Sequence, residues 1–340
     1  MTDAPRRTSP GSCARPLDEA YDTALLDLDG VVYAGPNAVP HAVDSLAAAR
    51  QGGMRLAYVT NNASRTPKAV AEHLSELGVP AGPEDVITSA QAAARLVAER
   101  VPEGAKVLVV GGEGLVQAVE ERGLVPVRSL DEEPVAVVQG YDRSVGWTEL
   151  AEASYAVQRG LPWVASNTDL TIPTARGTAP GNGTLVNAVR AATGVDPAVA
   201  GKPLPPMHRE TVLRTGAERP LVVGDRLDTD IEGAFNGGVD SLLVLTGVTA
   251  PGDLLAARPE HRPTYVGRDL RDLLEPQPEV AEEADGGRRC GGWLVAAADG
   301  VLRFAETGED PVDGLRALCA AAWSGAATGG WDKALAGLGL

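Results

Sequence analysis

From Tyr21 to Leu274, short apolar runs alternate with stretches of helical spacing. Thr23–Leu28 (TALLDL) is a compact apolar strand broken by Gly30. Val39–Arg50 has helical periodicity and stops at Gly52-Gly53. Arg55–Thr60 (RLAYVT) is a second strand. Thr66 is an N-cap with Pro67 at the first helical position, and Gly78 closes that helix. Thr88–Arg100 is helical. Lys106–Val110, Val135–Val138 and Trp163–Ala165 are further strands, with helices near 114–122 and 148–159 between them. Thr184–Ala192 and His208–Thr215 are helical, and Leu221–Val223 and Leu242–Leu245 are strands around a helix near 229–236. Strands that alternate with helices imply an α/β fold with parallel sheets and crossover helices.

The C-terminal end reads differently. Residues 276–292 are rich in Pro, Glu and Gly and read as a linker. WLVAAA and VLRF around Asp299-Gly300 form a hairpin pattern, and an Ala-rich helix runs from about Pro311 to Ala326. Residues 293–340 are thus expected to be a small α+β appendage, too short for much core of its own. If it is only structural, truncation after about Glu275 should leave kinetics intact. Residues 1–16, rich in Pro, Arg and Ser, are expected to be a disordered tail.

Composition narrows the function. Asp and Glu number 46 against 30 Lys and Arg, a net charge of −16. That balance argues against nucleic-acid partners, because there is no basic surplus to release phosphate counterions. It also disfavours anionic membrane surfaces, and no apolar run is long enough to span a bilayer. Cys13, Cys290 and Cys319 are too few and too scattered for a disulfide framework or a paired zinc site. A reducing, cytoplasmic location is expected. The residues after Arg6-Arg7 are polar, so they do not make an export signal.

Four segments carry candidate chemistry. Asp27 and Asp29 flank the end of the first strand, and an i, i+2 spacing places both side chains on one face. Such a strand end is where open α/β sheets take ligands. Two close carboxylates suit Mg²⁺, with one free to be a nucleophile and the other a general acid. An isolated DxDG is also an ordinary solvated turn. Thr60, Asn61 and Asn62 offer a hydroxyl and amides for a phosphoryl oxygen, though Asn-rich turns are common. Lys202, between Gly201 and Pro203, can neutralise phosphate charge or be a surface lysine. Asp225 ends a strand and would complete a cation site with Asp27. Asp230 would hold a metal-bound water or Lys202, whereas Asp228 fits an N-cap or exposed position.

DLDG, TNN, GKP and GDRLDTD occur in this order, each at a strand end or loop. Together they resemble the haloacid dehalogenase (HAD) superfamily of phosphatases. The αβ insertion between Asn61 and Lys202, with VQGYDRS, ASNTDLTIPT and APGNGTLVNAV inside it, resembles the NagD-like and p-nitrophenylphosphatase-like branch with an α/β cap. The similarity covers about 20–275, and the extra tail is similar to that of actinobacterial glycerol 3-phosphate phosphatases, described as distantly acetyltransferase-like. No acetyl-CoA pyrophosphate loop is present.

The resemblance implies a Rossmann-like core of residues 17–82 and 186–275 and an inserted cap of 83–185 that closes over the core. It implies Asp27 as nucleophile, Asp29 as general acid/base, Thr60 and Asn61 as phosphoryl ligands with Asn62 beside them, and Lys202 as charge stabiliser. Mg²⁺ would be bound by the Asp27 carboxylate, the Asp29 carbonyl and Asp225, with Asp230 in support. Asn167, Asp169 and Arg176 fall in the cap segment expected to face the site; Arg176 either binds a second anionic group or pairs with a surface carboxylate. Gly181 and Gly183 shape a turn. The expected substrate is a small polyol phosphate, glycerol 3-phosphate first. Phosphoglycolate, nucleotide or aryl phosphates are alternatives, as is a non-catalytic binding protein on the same scaffold. Self-association is possible in this branch.

Other chemistries fit poorly. Gly111-Gly112-Glu113-Gly114 follows a strand, but a dinucleotide fingerprint counted from Gly112 ends on Gln117. No P-loop and no HExxH zinc motif occur, and His41, His73, His208 and His261 are scattered.

Overall fold

The computed structural model describes residues 7–339 apart from 175, 299, 327 and 328. The chain divides into two compact units, one running to Ala57 and resuming at Ala217, the other spanning Tyr58–Gly216.

In the first unit, four parallel strands lie in the order Tyr265–Gly267, Asp240–Val244, Pro220–Gly224, Thr23–Leu26. Thr23–Leu26 is buried along its whole length, as a strand covered on both faces must be. The chain beyond 275 is a small α+β region that belongs to this unit. Residues 276–292, expected to be a linker, contain the strands Ala281–Glu282 and Arg288–Cys290. These extend the hairpin Trp293–Ala298/Val301–Glu306 into a four-stranded antiparallel sheet. Asp299, half of the expected turn, lies outside the described residues. The helix Pro311–Trp323 buries Val312, Leu315, Leu318 and Trp323 in one cluster with Ile231, Leu243, Leu254, Leu255 and Val266. Arg316, 5% exposed, donates to the Val266 carbonyl at 2.6 and 2.9 Å and to Asp272, Gln277 and Asp313.

The expected disorder of residues 1–16 also fails from residue 7 onward. Gly11 N–H donates to the Thr264 carbonyl at 2.7 Å, and Cys13 and Gln277 exchange backbone bonds of 2.9 and 2.8 Å. Tertiary partners for these donors overrode a polar composition. Cys290 and Cys319 are free and buried, and burial pushes the Cys290 thiol up to about 12.

In the second unit, the end of Arg55–Thr60 pairs in parallel with Val86–Thr88. A separate parallel sheet has the order Ala198–Val199, Trp163–Ala165, Ala136–Gln139, Lys106–Val110, Val125–Val127. Two expected boundaries move. Val86–Thr88 belongs with the strand before it, so the core pattern runs past 82. Nor does the core resume at 186: Val186 and Val189, on the helix Asn182–Thr193, are buried with Leu108, Val137 and Trp163 of the cap sheet. Ala198–Val199 is that sheet's edge strand.

Glu210, fully buried on the helix Pro205–Thr215, meets Arg95, Arg122 at 2.6 Å and Arg214 at 2.5 Å. Burial pulls its pKa up, but the arginine hydrogen bonds and charges win and hold it below the ordinary 4.5. A depressed carboxyl stabilises the fold above its unfolded pKa and loses that contribution as pH falls through the folded value. Glu210→Gln should therefore cost about 3–5 kcal/mol at pH 7, from leaving three buried-facing cations underpaired. In urea melts the gap to wild type should narrow as pH drops below ~4. A constant gap down to pH 3 would contradict this origin.

Candidate active site

The first unit carries an acidic cluster. The first strand ends at Leu26, and Asp27 N–H still reaches the Val223 carbonyl at 2.8 Å, so Asp27 stands just beyond the strand end. Next to it, Pro220–Gly224 delivers Asp225, which is fully buried. A wide turn, Leu227–Ile231, follows, with the N–H groups of Asp230 and Ile231 both on the Arg226 carbonyl at 3.2 Å. A five-residue turn of this kind is frequent at functional sites. It folds Asp230, 1% exposed, back against Gly224, where a Cβ would overlap its side chain. Carboxylate oxygens of Asp27, Asp225 and Asp230 thus lie within 4.8 Å of one another. Three anions this close in a buried setting repel unless a cation is shared. An all-oxygen donor set suits a hard divalent ion.

The segment after Asp240–Val244 completes this acidic cluster, and sequence reasoning missed it. Val248 N–H donates to Asp225 Oδ2 at 2.6 Å. A Cβ on Gly247 would overlap the Asp225 carboxylate, and Gly30, at φ 86°, is also packed against it. The only signal available was a Gly just after an apolar strand. Gly247→Ala should displace the carboxylate and weaken divalent-ion activation at least tenfold; an unchanged activation curve would contradict this packing.

Asp29 follows Asp27 by two residues. Its carboxylate is not in the three-residue cluster, and the residue is exposed. The alternation argument needed the strand to continue to Asp29. Instead the chain turns after Leu26, with Val32 and Tyr33 N–H on the Leu28 carbonyl and Gly30 in the left-handed region. Asp228 is held by Arg226 at 2.9 and 3.1 Å, outside the cluster.

The second unit carries the amide and lysine loops. Thr60 ends its strand, 5% exposed, and its Oγ1 accepts the Asn62 N–H at 3.1 Å. Asn62 Oδ1 accepts Ser64 N–H and Oγ–H, both at 2.9 Å, so this side chain builds the turn. The Asn61 side chain faces inward as well. Its Oδ1 accepts Lys202 N–H at 2.8 Å, while Nδ2 donates to the Lys202 carbonyl at 3.2 Å and to the Asp169 carboxylate at 3.1 and 3.4 Å. Both amide hydrogens thus have protein partners, which leaves no donor on that side chain for a phosphoryl oxygen. The Asn61 carbonyl takes bonds from Ser89 Oγ at 2.6 Å and Asn167 Nδ2 at 2.7 Å. Lys202 Nζ donates to the Val59 carbonyl at 3.2 Å.

In the cap segment, Asp169 N–H donates to Asn167 Oδ1 at 3.1 Å, and the Asp169 carbonyl accepts Gly183 N–H at 2.9 Å. Cβ atoms on Gly181 or Gly183 would overlap the carbonyls of Asp169 and Thr168, so these glycines seat the 167–170 segment and build no phosphate loop. Arg176 is exposed at the tip of the hairpin Thr171–Thr174/Gly177–Pro180.

This fold and acidic centre define a HAD-type phosphatase, and the chain belongs to the haloacid dehalogenase family of hydrolases. The haloacid dehalogenase-like hydrolase family matches residues 24–125, and the HAD-hydrolase-like family matches 199–273. A GCN5-related N-acetyltransferase-like domain matches 290–340. Among individual relatives, the D-glycerol 3-phosphate phosphatase of Mycobacterium tuberculosis is 47% identical over 313 residues, 90% of this chain and 87% of that protein. The glycerol phosphate phosphatase of that organism, crystallised in complex with magnesium, superposes with a TM-score of 0.84 at 46% identity, covering 91% of this chain and 92% of its own. A p-nitrophenyl phosphatase from Archaeoglobus fulgidus gives 0.69 at 30% identity, covering 75% and 98%. Among the described residues, no helix is long and apolar enough to cross a membrane.

Proposed function

We propose that this phosphatase hydrolyses glycerol 3-phosphate or a similar small polyol phosphate, with Mg²⁺, through an aspartyl phosphate on Asp27. The observation that carries the chemistry is the convergence of half-buried Asp27 with buried Asp225 and Asp230. These carboxylates would hold Mg²⁺ together with the Asp29 carbonyl, and the ion would offset charge on the phosphoryl group. Asp27 attacks phosphorus, and the ester P–O bond breaks as the acyl phosphate forms. Asp29, exposed and two residues on from Asp27, gives its proton to the leaving alkoxide. It then takes a proton from a water that attacks phosphorus, which releases inorganic phosphate and regenerates the Asp27 carboxylate. Lys202 stabilises the crowded negative charge. Thr60 contributes its hydroxyl, while Asn61 contributes through its main chain, its side-chain amide being committed elsewhere.

The glycerol phosphate preference rests on the 47% identical relative and on the shared C-terminal region. A broad aryl phosphatase is the second reading, favoured by the Archaeoglobus likeness. Phosphate release with Mg²⁺ from glycerol 3-phosphate, phosphoglycolate, a nucleoside monophosphate and p-nitrophenyl phosphate separates them. The proposal expects a kcat/KM for glycerol 3-phosphate at least tenfold above the others. Equal values across the panel would leave the chemistry and remove the substrate, and no release from any would favour a binding protein.

A further inference from the structure

We propose that Asp169 is a positioning residue for Lys202, acting through the side-chain amide of Asn61. The inference rests on the proposed role of Lys202 in charge stabilisation and adds to it a cap-segment residue that sets where that lysine stands.

The argument starts from what each group can accept or give. An ionised carboxylate only accepts hydrogen bonds, and an amide has one accepting and one donating end. With Asp169 Oδ2 3.1 Å away, the near end of Asn61 must be its NH₂. The other end is then a carbonyl oxygen, and it receives the Lys202 main-chain N–H at 2.8 Å. The same NH₂ also donates to the Lys202 carbonyl at 3.2 Å, so Asn61 clamps both main-chain groups of Lys202. Without Asp169, one amide hydrogen loses its acceptor, and only the two Lys202 main-chain bonds hold the amide, which loosens the clamp.

The surroundings allow little slack. A Cβ on Gly201 would stand 2.6 Å from Asn61 Oδ1 and 2.5 Å from the Ser166 carbonyl, so the lysine loop lies directly on the amide. Ser89 and Asn167 fix the Asn61 carbonyl, and Gly183 N–H fixes that of Asp169. Asp169 is 108 residues from Asn61 in sequence, so this clamp arises only in the folded unit. A displacement of about 1 Å in a positioned group can cost roughly a hundredfold in rate.

The test is a double-mutant cycle on the full-length protein with p-nitrophenyl phosphate and saturating Mg²⁺, using Asp169→Ala, Lys202→Met and the pair. Asp169→Ala should lower kcat about 10- to 100-fold with an unchanged Mg²⁺ activation constant. In the Lys202→Met background the same change should have little further effect, because the group it positions is gone. Asp169→Asn, which can still accept from Asn61 but as a neutral and weaker acceptor, should fall between. If Asp169→Ala does not fold, Asp169→Asn carries the cycle. Equal fold-losses with and without Lys202 would overturn the relay, as would wild-type kcat in Asp169→Ala. Wild-type kcat in Lys202→Met would instead remove the assumed role of the lysine, a separate failure.

Discussion

Asp27→Asn should abolish turnover, by at least about a thousandfold in kcat, while the protein melts within a few degrees of wild type. The amide is nearly the same size, so packing around the strand end is kept. It is a far weaker nucleophile than a carboxylate, and covalent catalysis on it stops. The substitution also removes one of three anions within 4.8 Å, and with it the repulsion of residue 27 against Asp225 and Asp230 in the metal-free protein. The thermal midpoint without Mg²⁺ should hence hold or rise, and the increment that Mg²⁺ adds should shrink. Retained turnover would rule out Asp27 as nucleophile.

Truncation after Glu275 should destroy the folded state rather than spare the kinetics. The removed segment contributes Trp293, Val295, Leu302, Val312, Leu315, Leu318 and Trp323 to a core that also holds Leu243, Leu254, Leu255 and Val266. Fully burying one such side chain is worth about 1.5–3 kcal/mol. Seven of them rival the ~5–15 kcal/mol net stability of a typical domain. Truncation also removes Arg316 from the Val266 carbonyl and the Trp323 Nε1 bond of 3.0 Å to the Leu254 carbonyl. Ile231, next to Asp230, belongs to the same cluster, so the acidic turn loses its backing. Circular dichroism should show no cooperative melt. A truncated chain with a wild-type midpoint and activity would mean that the tail is an appendage after all.

The strand ends that carry Asp27, Thr60 and Asp225 were legible because buried parallel strands are continuous apolar runs, and each stops at a polar residue. Ala198–Val199 was not, since two residues make no pattern, and the cap's true end went with it. The strands within 276–292 were hidden by charge. Arg289 lies between Glu283 at 2.5 Å and Glu306 at 2.8 Å, and cross-strand ion pairs of this kind read in sequence as a polar linker. Alternation had no hold on Asp29, because the strand ends at Leu26. The commitments of the Asn61 amide depend on contacts over 108 and 141 residues, which no local pattern encodes.

The covalent step can be tested directly with Asp29→Asn and p-nitrophenyl phosphate in a stopped-flow experiment. p-Nitrophenolate leaves without a proton, whereas the alkoxide of glycerol needs one. The variant should therefore still phosphorylate Asp27 from the aryl ester but lack the base for hydrolysis. The account predicts a burst of p-nitrophenolate approaching one per chain, with phosphate bound to the Asp27 peptide after acid quench. A linear trace with no protein-bound phosphate, in a variant that still turns over, would contradict the aspartyl-phosphate route.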